Sequence, residues 1–471
     1  VPPQSLGILC DKVVCYFGSW AVYRPGNGKI QISDIDASLC THLIYSFVGI
    51  DENGGIRILD AWNDLPDNGG KAGFQHFNEL RKKSPNTKTL VAIGGWSEGS
   101  IKFSNVMANP ALRSRFVQNV VDFTLRYDFN GFDLDWEYPA QRGGNQADVQ
   151  NYVLLVKELR TVFDKHGLIL TAAVGAAESS ASLSYDIRQI SEYLHFINVM
   201  TYDFHGSWES TTGYNAPLYA ADATVRYWLR QGAPANKIVL GVGTYGRSFT
   251  LTNSAQNVPG SPASGAGRQG PYTRQDGTLG YNEICELQSQ GWTTVWDAEQ
   301  HVPYAYSGNQ WVGFDNVQSV TEKAEFVKAM GLGGAMIWSI ETDDFRGTCG
   351  EKYPLLNALN RVLRGGGSSS IPIPAPREPA RTPDNLIPES APPTDTGMTG
   401  MLGDMGAVEM PNDVCGRYGS QYIRDLQNCA KFYVCQQMNY NDYKAIPIFC
   451  SPGTYFDTNL NICNWEQFVV C

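Results

Sequence analysis

The sequence has no long hydrophobic run and no excess of positive charge. No segment reaches the roughly 18 consecutive apolar residues that a membrane-spanning helix needs, so no membrane partner is predicted. Lys and Arg number 36 against 47 Asp and Glu, for a formal net charge of −11 at pH 7. Because such a protein offers no broad basic surface to a polyanion, nucleic acid is not a predicted partner.

Motifs for metals and nucleotide cofactors are also missing. The six histidines lack the H-E-x-x-H spacing of zinc enzymes, and no C-x-x-C pair occurs. The segment Gly241-Val-Gly-Thr-Tyr-Gly246 fits the dinucleotide pattern G-x-G-x-x-G, but the residues that follow are β-like. They therefore offer no helix N-terminus to a pyrophosphate. We predict neither a metal nor another cofactor.

Cysteine is unevenly distributed along the chain. Six of the eleven cysteines lie between Cys415 and Cys471, a density that has no purpose in a reducing cytosol. The chain also begins with Val1 instead of methionine. We interpret these two features as those of a processed protein that is secreted to the extracellular space, and we expect a monomer.

Short apolar runs alternate with longer helical patterns from residue 12 to about residue 364. Several runs are apolar on both faces, which is typical of parallel strands covered by helices. The eight runs are Val13–Phe17, His42–Ile50, Thr89–Trp96, Gly131–Tyr138, Leu168–Gly175, Phe196–Phe204, Lys237–Gly246 and Gly334–Ile340. Apolar stripes predict helices at Asn109–Tyr127 and Gln150–His166. Eight strands over about 350 residues favour an α/β fold of the (β/α)8 TIM-barrel type over a doubly wound open sheet.

Two regions depart from this alternation. The interval between Gly246 and Gly334 is too long for one helix and rich in Gly and Pro, which predicts an α+β subdomain inserted between strands seven and eight. A later region shifts to Gly, Ser, Pro and Thr without apolar periodicity, which predicts a disordered linker. The predicted domains are a barrel at 1–364 with its insertion at about 248–318, a linker at 365–413 and a small disulfide-rich module at 414–471.

The fourth predicted strand carries three acids at alternate positions, Asp133, Asp135 and Glu137. Alternate side chains of a strand share a face, so the three carboxyls are predicted to line one side and the apolar residues between them the other. Like charges this close raise the pKa of at least one carboxyl, which makes it a proton donor near neutral pH. The alternatives are a solvated edge strand and a calcium loop. The interleaved apolar residues argue against the first, and the missing calcium-loop signature argues against the second.

Aromatic residues close many of the predicted strands. In a TIM barrel the reactive face lies at the C-terminal ends of the strands, so these residues are expected to meet. The residues at these ends are Tyr16, Phe17, Phe47, Trp96, Asp135, Glu137, Met200, Tyr202, Asp203, Tyr245, Arg247 and Trp338. Aromatic faces stack on the C–H faces of sugar rings, and carboxyls bind sugar polar groups. The combination predicts a carbohydrate groove.

Several of these motifs together resemble glycoside hydrolase family 18, the chitinases and chitinase-like lectins. The resemblance rests on Asp133-Leu-Asp-Trp-Glu137, Gly94-Gly-Trp96, Met200-Thr-Tyr-Asp203, Tyr245-Gly-Arg247 and Trp338, and it covers about residues 12–363. It implies a secreted endochitinase that hydrolyses β-1,4-linked N-acetylglucosamine polymers with retention. The substrate's own acetamido group would form an oxazolinium intermediate, and chitin and chitooligosaccharides would be the partners.

The resemblance also implies a role for individual residues. Glu137 would protonate the glycosidic oxygen and later activate water, and Asp135 would hold the acetamido N–H. Asp133 would share a proton with Asp135, and Tyr202 would support the acetamido oxygen. The implied substrate-binding residues are Tyr16, Trp20, Phe47, Trp96, Met200, Asp203, Trp208, Tyr245, Arg247 and Trp338.

Two other functions remain open at this stage. The first is a non-hydrolytic chitin-binding lectin, but lectin-like relatives typically lose the acid that this chain keeps as Glu137. The second is an endo-β-N-acetylglucosaminidase that acts on the chitobiose core of glycans. Trp96, Trp338 and the C-terminal module favour chitin over that substrate.

The C-terminal module resembles a peritrophin-A type chitin-binding domain through Asn428-Cys-Ala-Lys-Phe-Tyr-Val-Cys435, Gly453-Thr-Tyr-Phe-Asp457 and Cys463-Asn-Trp465. So short a module needs disulfides, but the residues alone leave their connectivity open, and a generic disulfide knot that binds a protein is the alternative. The resemblance implies the pairs Cys415–Cys435, Cys429–Cys471 and Cys450–Cys463 here, and Cys15–Cys40 and Cys285–Cys349 in the barrel. Cys10 is left as a free thiol or a link to another chain.

Overall fold

The computed structural model describes residues 12–365 and the backbone of five strands between Tyr422 and Trp465. The chain divides into two units, residues 1–378 and 379–471. Cys10, the predicted linker after Gly365 and the pairing of the six C-terminal cysteines lie outside the described residues. None of the helices in the described part is both long and apolar enough to cross a membrane.

The first unit alternates strands and helices. Its strands are β1 (Lys12–Gly18), β2 (His42–Ile50), β3 (Ile56–Ile58), β4 (Lys88–Gly94), β5 (Gly131–Asp135), β6 (Ile169–Gly175), β7 (Phe196–Met200), β8 (Ile238–Gly243), β9 (Tyr245–Leu251), β10 (Ala263–Ala266), β11 (Thr278–Gly280), β12 (Thr293–Asp297), β13 (Val302–Ser307), β14 (Gln310–Gly313) and β15 (Gly334–Trp338). Its helices are α1 (Ala61–Asp64), α2 (Gly73–Lys83), α3 (Ile101–Ala108), α4 (Pro110–Arg126), α5 (Asp148–His166), α6 (Glu178–Ser184), α7 (Ile187–Tyr193), α8 (Leu218–Arg230), α9 (Tyr281–Ser289), α10 (Val317–Ala329) and α11 (Pro354–Leu363).

Eight parallel strands close into a barrel. Around it run β1, β2, β4, β5, β6, β7, β8 and β15, and β15 pairs with β1 to complete the ring. Side chains of these strands are buried on both faces: Val14 and Ile44 lie in the cluster inside the barrel, whereas Val13 and Leu43 lie in the cluster under the helices. This double burial explains the nearly continuous apolar runs. The predicted TIM barrel is confirmed.

Several predicted strands end earlier in the structure. The fourth ends at Asp135, so Trp136 leaves the strand; it still packs on Phe103 with ring centroids 5.3 Å apart and donates its indole N–H to Ser100. The sixth ends at Met200, and the predicted run to Phe204 is not one strand, because Asp203 takes the left-handed conformation with φ of 59°. The eighth likewise ends at Trp338, two residues before the predicted end.

The two predicted helices are present with small shifts at their ends. Residues 110–126 form α4, and Asn109 caps its N-terminus because its side chain accepts hydrogen bonds from the N–H groups of Ala111 and Leu112. Helix α5 begins at Asp148, two residues before the prediction, and ends at His166; Gly167 follows it in the left-handed conformation that is common after helices.

The insertion between the seventh and eighth barrel strands is a sheet with one helix. Strands β9 to β14 form antiparallel pairs, and α9 lies between β11 and β12. The sheet begins at Tyr245, only one residue after β8, so the predicted run Lys237–Gly246 in fact joins two strands. Only Thr244 separates the two strands, and the residues on either side of it are buried, so no break in the sequence pattern marks the boundary. The turn after β9 does not open a helix.

Two disulfides tie the first unit together. Cys15 on β1 bonds Cys40, which lies just before β2, and Cys285 on α9 bonds Cys349, which precedes α11. These are the two pairs that the family resemblance implies for the barrel. The second bond anchors the insertion to the segment that follows the last barrel strand.

The second unit is described by its backbone. Strands β16 (Tyr422–Arg424), β17 (Lys431–Asn439) and β18 (Asp442–Phe449) form an antiparallel sheet in that order. Strands β19 (Thr454–Asp457) and β20 (Ile462–Trp465) form a separate antiparallel pair. In modules as short as this one, disulfides usually supplement a limited core.

Candidate active site

The C-terminal ends of the barrel strands bring the predicted site residues to one mouth. Six of these residues lie on barrel strands: Tyr16 on β1, Phe47 on β2, Asp133 and Asp135 on β5, Met200 at the end of β7 and Trp338 at the end of β15. Six lie in the loops that follow barrel strands: Trp20 after β1, Trp96 after β4, Glu137 after β5, and Tyr202, Asp203 and Trp208 after β7. The last two, Tyr245 and Arg247, lie on β9. Three cis peptide bonds occur among these ends, at Ser46–Phe47, Glu137–Tyr138 and Trp338–Ser339.

Asp133 is the deepest of the three acids and is held by donors from other strands. Its carboxylate accepts a hydrogen bond from the Tyr16 hydroxyl at 2.8 Å, another from the Thr171 hydroxyl, and a longer one of 3.4 Å from the Asn198 amide. Complete burial raises its pKa to about 6, although the three hydrogen bonds oppose that rise. Asp133 can therefore exchange a proton near neutral pH.

Asp135 is buried beside two other acids and has an oxygen without a protein partner. Its side chain is only 4% exposed, and Oδ1 makes no hydrogen bond within the described residues. Burial raises its pKa well above the usual value, and the charges of Glu137 and Asp133 raise it further. A buried, unpaired acceptor is costly, so this oxygen is suited to a donor that a ligand brings.

Glu137 follows the end of β5 by two residues and is half-buried. Burial raises its pKa to about 7, and the charge of Asp203 adds to the rise. A hydrogen bond with Tyr138 and the positive charge of Arg142 oppose it. A carboxyl with a pKa near 7 can act as a general acid and then as a general base at neutral pH.

Arg142 fixes the backbone around Glu137. Its Nη1 donates to the carbonyl oxygens of Trp96 and Glu137, each at 2.9 Å. Its guanidinium also lies 3.6 Å from the centroid of the Trp96 ring, whose side chain is 63% exposed. One face of this tryptophan is thus covered by a cation, which leaves the rest of the ring to solvent or a ligand.

A second polar group lies across the mouth around Asp203. Its carboxylate accepts hydrogen bonds from the Tyr245 hydroxyl at 2.6 Å and from Arg247 Nε at 2.7 Å. Asn215 supports this group, because its side-chain oxygen accepts from the Asp203 N–H at 3.0 Å and its amide donates to the Tyr245 carbonyl at 3.1 Å. The Trp208 ring, which is 61% exposed, lies 5.4 Å from the Arg247 guanidinium.

Aromatic rings form the floor beside the acids. Phe47 stacks on Trp338 with centroids 5.6 Å apart, and Trp20 lies 6.1 Å from Phe47 and 6.2 Å from Trp338. Tyr16 lies 5.6 Å from Trp338 and so joins this floor to Asp133. Nearby, the Tyr202 hydroxyl lies 3.9 Å from the sulfur of Met336. Flat apolar faces next to carboxyls suit a ring that is apolar on its faces and polar at its edges.

Several residues of the site escaped the sequence reasoning. Thr171 and Asn198 are polar residues within apolar strands, a signal that could have marked them as partners of a buried acid. Arg142, Asn215 and Thr278, whose hydroxyl accepts from Arg247 Nη1 at 2.8 Å, lie in loops or short strands and carry no comparable signal. Their roles depend on contacts between segments far apart in the chain.

A metal site is not formed by the one cluster of suitable side chains in the described residues. Cys285, Cys349 and Asp344 lie close enough to share an ion, but the two cysteines are joined in a disulfide. A metal is bound by thiolates, which a disulfide does not provide. The Asp344 carboxylate instead accepts from the N–H groups of Thr348 and Cys349.

Comparison with known families agrees with this arrangement. The model described as "Glycosyl hydrolases family 18" matches residues 12–343. The chain belongs to glycosyl hydrolase family 18. The model described as "Chitin binding Peritrophin-A domain" matches residues 415–471, so the family 18 barrel is followed by a chitin-binding module, as the resemblance implied.

Similar proteins include both chitinases and a pseudo-chitinase. A probable chitinase 2 of Drosophila melanogaster is 42% identical over 82% of this chain and 87% of its own length. The Group IV chitinase of Ostrinia furnacalis, solved in complex with allosamidin, is 46% identical with a TM-score of 0.74 and covers 76% of this chain and all of its own. Human YKL-39, described as a pseudo-chitinase with retained chitooligosaccharide binding, is 39% identical with a TM-score of 0.69 and covers 75% of this chain and 99% of its own.

Proposed function

We propose that this family 18 protein is an endochitinase that hydrolyses β-1,4-linked N-acetylglucosamine polymers with retention. The observation that carries the proposal is the pairing of Glu137, whose pKa is raised to about 7, with the buried, unpartnered oxygen of Asp135. The first group supplies a proton donor at neutral pH, and the second supplies an acceptor for a substrate N–H. An aromatic floor next to them suits a chain of sugar rings.

The proposed reaction proceeds in two steps. In the first, Glu137 protonates the glycosidic oxygen, the C1–O bond breaks, and the acetamido carbonyl oxygen of the same sugar bonds to C1. Asp135 accepts a hydrogen bond from the acetamido N–H and offsets the positive charge of the oxazolinium ion, and Tyr202 supports the acetamido oxygen. In the second, water gives a proton to Glu137 and bonds to C1, which restores the acetamido group and the acid. Two inversions at C1 give net retention.

The neighbours of Asp135 support its role in this scheme. Asp135 must be anionic when it binds the acetamido N–H, yet its pKa in the free protein is raised by burial, by Glu137 and by Asp133. Asp133, with its pKa near 6, can take up the proton that Asp135 releases. Trp338 would form the floor under the sugar at the cleavage site, Trp96 would stack on one side of it, and Trp208 would help to complete the groove.

Release of new reducing ends from N-acetylglucosamine oligomers tests the proposal directly. We expect Glu137→Gln to lower the rate by about 10²-fold to 10⁴-fold, the usual loss for a general acid, while oligomer affinity changes little because size is conserved. Glu192→Gln, on the outer face of α7, is the matched control and should leave the rate unchanged. Undiminished turnover in Glu137→Gln would refute its assignment. Binding without turnover in the wild type would instead support the non-hydrolytic chitin-binding lectin.

The use of the acetamido group has its own test. Deacetylated glucosamine oligomers should bind but resist cleavage, because they lack the carbonyl oxygen that bonds to C1. NMR of the first product should show the β-anomer. Cleavage of fully deacetylated oligomers, or release of the α-anomer, would contradict the substrate-assisted mechanism. Equal rates on a glycan chitobiose core and on chitin oligomers would favour the endo-β-N-acetylglucosaminidase alternative.

The C-terminal module is proposed to hold the enzyme on solid chitin. Tethering through a linker raises the local concentration of a catalytic domain at an insoluble surface. Removal of residues 412–471 should therefore weaken attack on solid chitin far more than attack on soluble oligomers. Equal loss on both substrates would indicate that the module serves stability or another partner.

We further propose that the protein is secreted and monomeric. The two disulfides of the first unit and the six cysteines of the C-terminal module suit an oxidising compartment. Secretion is tested by detecting the protein in the culture medium of cells that express the natural gene. The monomer is tested by light scattering of the purified protein. Retention inside the cell or a stable dimer would contradict these two proposals.

A further inference from the structure

A buried carboxyl joins the first and last barrel strands at the mouth. Glu341 lies three residues after Trp338, has no exposed surface, and accepts hydrogen bonds from the backbone N–H of Gly18 at 3.1 Å and from the Ser339 hydroxyl at 2.5 Å. Arg24 Nη2 lies 3.9 Å from the same carboxyl. Burying an acid is costly unless its contacts compensate, and the proposed reaction gives this one no chemical step.

Gly18 is required at its position for space. Its φ of −77° suits any residue, so backbone conformation does not demand glycine. A Cβ atom there would lie 2.5 Å from Oε1 of Glu341 and 2.8 Å from the indole of Trp20. Both distances are shorter than van der Waals contact. The missing side chain thus lets the carboxyl reach the backbone on one side and the indole pack on the other.

The contact between Glu341 and Gly18 connects the segments that carry two of the aromatic residues at the mouth. Trp20 follows Gly18 by two residues and is 43% exposed, and Trp338 precedes Glu341 by three. The rings of these two tryptophans lie 6.2 Å apart at an angle of 42°. Glu341 therefore lies in the segment that follows the Trp338 ring and bonds the backbone two residues before the Trp20 ring.

We propose that Glu341 is a positioning residue for carbohydrate binding. By holding Gly18, it sets the separation and angle of the Trp20 and Trp338 rings to match successive sugar rings of a β-1,4-linked N-acetylglucosamine chain. The inference rests on the proposed function for the identity of this ligand. It adds a residue that touches no sugar but decides how well two sugar-contacting rings fit.

Calorimetric titration with an N-acetylglucosamine oligomer tests the proposal, with all proteins carrying Glu137→Gln to prevent turnover. Glu341→Ala and Gly18→Ala perturb one contact from its two sides, and each should weaken affinity by about fivefold to tenfold, the scale of one aromatic contact. Glu341→Gln should stay within about twofold of its parent, because the amide oxygen can accept from the Gly18 N–H and the amide NH2 can donate to the Ser339 hydroxyl oxygen. Thermal unfolding of each variant checks that the barrel is intact.

The same titration in a Trp20→Ala background separates positioning from general support. If Glu341 acts through this ring, Glu341→Ala causes no further loss there, since coupled residues are not additive. An equal loss in both backgrounds would overturn the proposal, as would unchanged affinity in Glu341→Ala and Gly18→Ala. If Glu341→Ala does not fold, Glu341→Asp, which keeps the charge but shortens the reach to Gly18, should show the same loss. Absence of hydrolysis by the wild type would refute the proposed function and leave this comparison of affinities valid.

Discussion

The raised pKa of Glu137 predicts where activity is lost as the pH rises. The general acid must be protonated in the free enzyme, and burial raises its pKa to about 7 from the usual value of about 4.3. The protonated form therefore persists to neutral pH and disappears as the pH rises through 7. At pH 8 only about a tenth of the protein would retain the proton, so kcat/KM should fall to about a tenth of its plateau.

Substitution of Arg142 should shift the alkaline limb of the pH profile, the range in which kcat/KM falls, in a known direction. Its positive charge lowers the pKa of Glu137, so Arg142→Gln should raise that pKa and move the alkaline limb to higher pH. The shift should be a fraction of a pH unit, because the guanidinium is exposed and solvent screens it. Arg142 also contacts Trp96, so the height of the profile will change as well, and only the position of the limb tests the reasoning.

The assay is reducing-end release from a soluble N-acetylglucosamine oligomer between pH 4 and pH 9 at constant ionic strength. The substrate has no group that titrates in this range, so the limb reports the protein. An alkaline limb near pH 4 to 5 would mean that Glu137 has an ordinary pKa and that burial does not raise it. An Arg142→Gln limb that moves to lower pH would show that another acid controls the profile.

Two further outcomes follow from the same contacts. Since the folded pKa of Glu137 lies above its unfolded value, ionisation of this carboxyl destabilises the fold at pH above about 7 and not below about 4. Glu137→Gln should therefore raise the free energy of unfolding, as measured by urea denaturation, by up to about 3 kcal/mol at pH 8 and little at pH 4. An equal effect at both pH values would contradict the assigned burial. Asn215→Ala removes the side chain that holds the Asp203 N–H and should raise KM by about tenfold with a smaller change in kcat, as measured by steady-state kinetics; unchanged KM would show that the neighbouring contacts suffice.

The strands and the acids were predictable for different physical reasons. Burial on both faces makes parallel strands apolar, so runs such as His42–Ile50 reveal the barrel. Strand ends are harder, because Trp136 stays buried after the backbone has left the strand and Asp203 turns on a backbone angle that composition does not encode. Alternation alone indicated that Asp133 and Asp135 share a face.

The partners of those acids depend on the register between distant strands. Thr171 reaches Asp133 because β6 and β5 align these two residues as neighbours in the sheet. Asn198 reaches the same carboxyl from a strand 65 residues along the chain. Closure of the ring brings Tyr16 to the opposite side. Each of these distances is decided by the closed barrel, so a local pattern can mark Thr171 and Asn198 as polar residues in apolar strands but does not indicate which carboxyl they reach.

The three acids differ chiefly in how many hydrogen-bond donors reach them, and this difference indicates the role of each acid in the proposed reaction. Hydrogen bonds to a carboxylate favour its charged form, so Asp133, with three donors, holds a negative charge more readily than its depth alone would allow. Asp135 has none of these donors on Oδ1 and two acids beside it, so it is the carboxyl that keeps a proton until a ligand N–H arrives. Glu137, nearer to solvent, is the one that can trade its proton with a leaving group and then with water. A strand that simply alternated acid and apolar residues would leave the three equivalent. The barrel makes them unequal, because Asp133 receives three donors from other strands, Glu137 has one hydrogen bond with Tyr138, and Asp135 Oδ1 has none.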